Sequence, residues 1–116
     1  MEKMTLSKAF TFDSAHKLPF YNGKCANLHG HTWKLTVAVS GETDEKTGMI
    51  VDFKEIKEIV QEKVISRLDH AYLNDIIENP TCENLLFWIR KQLKTLNGLK
   101  KLVLYETESS FCELEC

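Results

Sequence analysis

From Thr5 to Leu18 apolar and polar residues alternate, with Leu6, Phe10 and Phe12 on one side and Thr5, Ser7, Thr11 and Asp13 on the other. A period of two predicts a half-buried strand, and it places His16 on the face of the two phenylalanines. A loop follows from Pro19 to Leu28, with Tyr21-Asn22-Gly23 as turn chemistry and Cys25 near its end. Alternation resumes at His29: His29, His31, Trp33, Leu35, Val37 and Val39 share one face, and Thr32, Lys34, Thr36 and Ser40 the other. Residues 41–48 read as a polar turn, and Met49-Ile50-Val51 restores the apolar pattern.

The period then changes to three and four. Asp52 followed by Glu55 predicts a capped helix start, with Phe53, Ile56, Ile59, Val60 and Val64 buried and Lys54, Lys57, Glu58, Gln61 and Glu62 in water. Asp69 and His70 adjoin near the end of that helical stretch. Residues 78–81 form a break, and Thr81 is the expected N-cap of a second helix burying Leu85, Leu86, Trp88, Ile89, Leu93 and Leu96 until Gly98 stops it. Lys101 to Glu106 reads as a third strand, Thr107 to Ser110 as a turn and Phe111 to Cys116 as a last strand. Two strands, two helices and two strands predict an α+β fold, one antiparallel four-stranded sheet with both helices on one face. Such a sheet has two open edges, a liability that oligomerisation into a shared barrel removes.

Composition narrows the class without naming the chemistry. The 116 residues suit one domain spanning 1–116, and 43% apolar with 28% charged residues is ordinary globular usage. A formal charge of -2 offers no basic field for nucleic acid or a membrane surface, so an anionic ligand needs a local pocket. No apolar run reaches the ~20 residues of a membrane span and no secretory leader is evident, which leads to the expectation of a cytoplasmic protein. Reduced thiols are then expected for Cys25, Cys82, Cys112 and Cys116, with Cys82 a small apolar filler.

Reactive side chains concentrate in Cys25-Ala-Asn-Leu-His29-Gly30-His31. On an extended backbone His29 and His31 point the same way, and with His16 from a neighbouring strand they offer three imidazoles to one metal ion, leaving a coordination place open. Cys25 is placed either to join as an extra ligand or to stand beside the metal as an acid or base. Asp69-His70 reads blandly as a surface pair and functionally as a proton relay, because an unperturbed imidazole titrates near pH ~6.5. Glu106 lies on the apolar face of its strand, so its carboxylate is either at a frayed edge or paired with a ligand offering two N–H donors. Lys17, Lys24 and Lys34 lie near the site in sequence and read equally well as solvated bystanders.

Six ordered motifs then converge on a family. They are Phe-x-x-Ala-His at Phe12 to His16, Cys-x-x-x-His-Gly-His at Cys25 to His31, Val-Asp-Phe at Val51 to Phe53, Leu-Asp-His-x-x-Leu-Asn at Leu68 to Asn74, Asn-Pro-Thr-x-Glu at Asn79 to Glu83, and Glu106-Thr107.

 The chain resembles the 6-pyruvoyl-tetrahydropterin synthase and 6-carboxytetrahydropterin synthase superfamily of the tunnelling fold over essentially its whole length. The resemblance implies zinc on His16, His29 and His31, a catalytic Cys25 working with Asp69 and His70, and Glu106 as the anchor of a pterin ring. It also implies a homohexamer, a dimer of trimers, in which the cysteine and the Asp-His pair meet across a subunit boundary. Three residues between the cysteine and His-Gly-His look like the carboxy branch, of the queuosine (7-deazaguanine) pathway, whereas the pyruvoyl branch typically carries five. The implied reaction turns 7,8-dihydroneopterin triphosphate into 6-carboxy-5,6,7,8-tetrahydropterin, acetaldehyde and triphosphate. A pyruvoyl-type lyase and a zinc-stabilised pterin-binding module are the alternatives. Glu108, an extra acid beside the pterin anchor, departs from the family pattern and bears on substrate preference.

Overall fold

The computed structural model describes residues 2–116. Strand β1 spans Met4–His16 and β2 spans His29–Gly41, and the two pair antiparallel along their full length. Their inward faces carry the predicted residues: Phe10, Phe12, Trp33, Leu35, Val37 and Val39 are all buried. Burial of a side chain such as Phe12 contributes on the order of 2–3 kcal/mol, so the register that points these residues inward is strongly preferred over a one-residue slip. The pairing sets His16 directly opposite His29 and Ser14 opposite His31.

Helix α1, Phe53–Val60, opens where Asp52 accepts a hydrogen bond from the Lys54 N–H. It continues through a π-helical turn at Gln61–Ile65 into α2, Ser66–Leu68. Ile56, Val60, Val64 and Leu68 are fully buried, while Phe53, expected inside, is 49% exposed on the first turn. Helix α3, Cys82–Gln92, is capped by Thr81, whose hydroxyl accepts the Asn84 N–H at 3.1 Å. It ends before Leu93, although Leu93 and Leu96 still reach the core; Trp88 is only partly buried and lies under the Arg67 guanidinium. Gly98, at φ 77°, carries the chain into β4, Leu99–Tyr105. A Cβ there would stand 2.5 Å from the Ser40 carbonyl oxygen, so this turn requires glycine.

The expected antiparallel four-stranded sheet is corrected to a five-stranded mixed sheet: with Ala71–Tyr72 as β3 and Phe111–Glu115 as β5, the order is β3-β1-β2-β4-β5. The additional β3 pairs in parallel with Ser14 and Ala15. Two residues are too few to show a period, and what holds them is long-range: the His70 N–H donates to the Asp13 carbonyl at 2.7 Å. The same contact removes Asp69 and His70 from the helix on which sequence had placed them. Asp69 is extended and His70 has φ 56°. The helices and the inner sheet face share one continuous apolar core, and the polar face lies opposite. No helix among the described residues is long and apolar enough to cross a membrane.

Candidate active site

The three histidines predicted as ligands come together at one end of the sheet. His16 ends β1, His29 and His31 begin β2, and Glu106 follows the last residue of β4 on the same inward face as Leu102 and Leu104. One ligand atom from each of His16, His29, His31 and Glu106 lies within 4.8 Å of the others. His16 is 1% exposed, His31 19% and Glu106 29%, so the group is buried at His16 and partly open to solvent at His31 and Glu106.

Backbone carbonyls orient two of the rings. The Pro80 carbonyl lies 2.8 Å from His16 Nδ1, and the Asn27 carbonyl 2.7 Å from His29 Nδ1. A carbonyl only accepts, so each Nδ1 carries the proton and each Nε2 presents a lone pair. The buried Nε2 atoms of His16 and His31 have no hydrogen-bond partner. Glu106 Oε1 is 3.4 Å from the first and 3.1 Å from the second, close enough for charge interaction but without hydrogen-bond geometry. Unpartnered buried nitrogens converging on one point fit a divalent transition ion. Burial lowers the pKa of His31; Glu106 opposes that shift, and His16 and His29 reinforce it. A neutral imidazole is the form that coordinates. Trp33, fully buried, forms the floor, with its ring centroid 5.2 Å from that of His16 and 5.4 Å from that of His31.

Asp69 and His70 form a second, exposed group. Asp69 Oδ2 is 3.0 Å from His70 Nδ1, and Asp69 Oδ1 accepts the Asp13 N–H at 3.0 Å. That backbone hydrogen bond is the chief reason the Asp69 carboxyl is held below its ordinary pKa. With Nδ1 directed at a carboxylate, Nε2 of His70 is left to exchange protons. His70 and His31 both line an open cleft of about 550 Å³, together with Asp13, Ser14, Gly30 and Thr32.

Cys25 sits exposed on a single 3-10 turn, Lys24–Ala26, in the loop between β1 and β2. Its carbonyl accepts the Leu18 N–H at 2.9 Å, but its thiol contacts neither the histidine group nor Asp69-His70 within this chain. Sequence reading passed over Asp13, whose backbone holds both Asp69 and His70 and whose side chain accepts from the Thr32 hydroxyl at 2.6 Å. It also passed over Pro80, although the Asn-Pro-Thr break signalled a fixed backbone there. Asn74 closes the Leu-Asp-His-x-x-Leu-Asn motif, and its amide pairs with both the N–H and the carbonyl of Lys17, at 3.0 and 2.8 Å. Cys82, expected as a small apolar filler, has its sulfur 2.9 Å from that of Cys112, and burial raises the pKa of both thiols.

Comparison with known proteins follows the same outline. A relative from Haemophilus influenzae named 6-carboxy-5,6,7,8-tetrahydropterin synthase is 34% identical over 137 residues, covering 95% of this chain and 97% of its own. A Pyrococcus furiosus relative named dihydroneopterin monophosphate aldolase is 41% identical over 109 residues, covering 90% of this chain and 91% of its own. The solved structure of Caenorhabditis elegans 6-pyruvoyl tetrahydropterin synthase superposes with a TM-score of 0.90 at 26% identity, over 100% of this chain and 97% of that one. The sequence pattern of 6-pyruvoyl tetrahydropterin synthase matches residues 5–116, and with these relatives it establishes that the chain belongs to that family.

Proposed function

We propose that this chain is a zinc-dependent carbon–carbon lyase, a 6-carboxy-5,6,7,8-tetrahydropterin synthase acting on 7,8-dihydroneopterin triphosphate in queuosine biosynthesis. The observation that carries the reading is the Cys25-x-x-x-His29-Gly-His31 spacing, on a loop that opens directly into the strand bearing two of the clustered histidines. The Haemophilus influenzae relative, similar over nearly the whole chain, supports it.

His16, His29 and His31 would hold the zinc, whose chemistry is to polarise side-chain oxygens and acidify the adjacent C–H. Carbonyls of Pro80 and Asn27 hold the first two rings in the tautomer this requires. Cys25 removes the proton; a free thiol has a pKa of ~8.5 and a nearby cation favours the thiolate. Asp69 fixes the ring of His70 through Nδ1, so that Nε2 receives or returns a proton at neutral pH. Glu106 accepts N–H donors from the aminopyrimidinone edge of the substrate, a charge-assisted pairing suited to a partly buried carboxylate. Cys25 and the Asp69-His70 pair work in one site when chains assemble, as a homohexamer of two trimers, and the isolated chain is inactive.

The 41% identity to the Pyrococcus furiosus protein, named a dihydroneopterin monophosphate aldolase, gives a second reading, aldol cleavage of the pterin side chain. Mass spectrometry separates the two. Zinc-loaded protein given dihydroneopterin triphosphate should yield carboxytetrahydropterin with acetaldehyde, and Cys25→Ala should abolish both. A hydroxymethyl or pyruvoyl product would overturn the carboxy assignment, and equal turnover by Cys25→Ala would remove the cysteine from the chemistry.

A further inference from the structure

The contact between Glu106 and the histidines is difficult to satisfy without a cation. His16 donates its Nδ1 proton to Pro80, so its Nε2, itself sealed from water, faces Glu106 Oε1 as lone pair against lone pair, 3.4 Å apart. The same oxygen is 3.1 Å from His31 Nε2, which also lacks a hydrogen-bond partner. An acceptor nitrogen, that of His16, meeting a carboxylate in a largely buried site repels it unless positive charge lies between them. Atoms bound to one tetrahedral zinc at about 2.0–2.1 Å stand about 3.3 Å from each other. The 3.1 and 3.4 Å separations match that edge.

We propose that Glu106 is the fourth ligand of the resting metal centre, completing His16, His29 and His31, and that a pterin displaces it. The inference deepens the proposed function and rests on it for the nature of the displacing molecule. The backbone supports such a two-position side chain. The Glu106 N–H is held by the Ser110 carbonyl at 2.9 Å, fixing the Cα at the root of a tight turn, while the carboxylate is 29% exposed and has room to swing. Exchange is a substitution without redox or covalent change: one carboxylate oxygen leaves the metal, side-chain oxygens of the pterin replace it, and the freed carboxylate accepts the N–H donors of the ring. Recognition of the ring and opening of the metal are then one event. A ligand lacking the aminopyrimidinone edge leaves the centre closed.

Cobalt(II) reports the ligand set through its visible absorption, independently of turnover. Apo-protein, Glu106→Gln and Glu108→Gln are titrated with cobalt and with zinc against a chromophoric chelator. Glu106→Gln should lose roughly 10- to 100-fold in metal affinity and change the cobalt spectrum. Glu108→Gln, outside the cluster, should change neither. Saturating neopterin, an oxidised pterin with the same side-chain hydroxyls, should shift the wild-type cobalt spectrum toward that of Glu106→Gln. Unchanged affinity and spectrum in Glu106→Gln would overturn the fourth ligand, and a spectrum unmoved by neopterin would overturn the displacement. Matching melting temperatures of the three proteins exclude misfolding as the cause. Failure to form carboxytetrahydropterin refutes the proposed function and leaves these metal readouts as they are.

Discussion

The chain holds its chemistry in two groups built on opposite plans. His16, His29, His31 and Glu106 are mostly buried, extend from regular strands and are oriented by carbonyls that the fold itself positions. Asp13, Asp69 and His70 are exposed, sit where a helix gives way to a two-residue strand, and are held largely by one another. The first plan suits an ion that must stay; the second suits a proton that must leave. Rigidity and exchange are thus allotted to different parts of one sheet end.

Removing one of the clustered histidines gives the largest expected effect. His31→Ala should lower zinc affinity by more than about 100-fold and leave the metal content near zero after dialysis, as read by elemental mass spectrometry. Next, Asp69→Asn should keep full metal content while kcat falls by roughly 10²- to 10⁴-fold, because the ring of His70 loses the acceptor that fixes its tautomer. Loss of metal in this variant would erase the division between the groups.

Smaller effects sharpen it. Thr81→Ala should cost about 1 kcal/mol in denaturant unfolding through the lost cap, and weaken metal binding a few-fold because the adjacent Pro80 carbonyl orients His16. His70→Gly should raise stability by about 0.5–1 kcal/mol, since φ 56° disfavours a side chain, while it removes the proposed relay. Acid titration gives the finest test. The folded-state pKa of Asp69 is depressed, so its stabilisation is fully present above the unfolded value of ~3.9 and is lost as pH falls through the folded value. Urea midpoints measured from pH 6 to pH 2 should therefore fall more steeply for the wild type than for Asp69→Asn.

The two groups also differed in how readily sequence disclosed them. Period-two alternation carried His16 onto the face of Phe10 and Phe12 and set His29 and His31 together, because strand geometry is local and repeats. Glu106 stood out for the same reason, a charge on an apolar face. Asp69-His70 was visible as a pair and misplaced as structure: the helix ends there because the Asp13 backbone, 56 residues away, captures Asp69. No local pattern encodes that bond, and the fifth strand that depends on it was missed with it. Phe53 misled in another way, since an apolar residue on the first helical turn has neighbours on one side only.

Asn74 binds both backbone groups of Lys17, standing in for a strand residue where no strand continues. Lys17 is the first residue beyond β1, the root of the loop that carries Cys25, and Asn74 lies four residues past His70. A side-chain amide therefore fastens the start of one chain's cysteine arm to the platform of its own histidine. Any slackening at that rivet would be felt at the cysteine loop and at the histidine platform together, so one amide couples two segments that, among the described residues, share no other side-chain bond to Lys17.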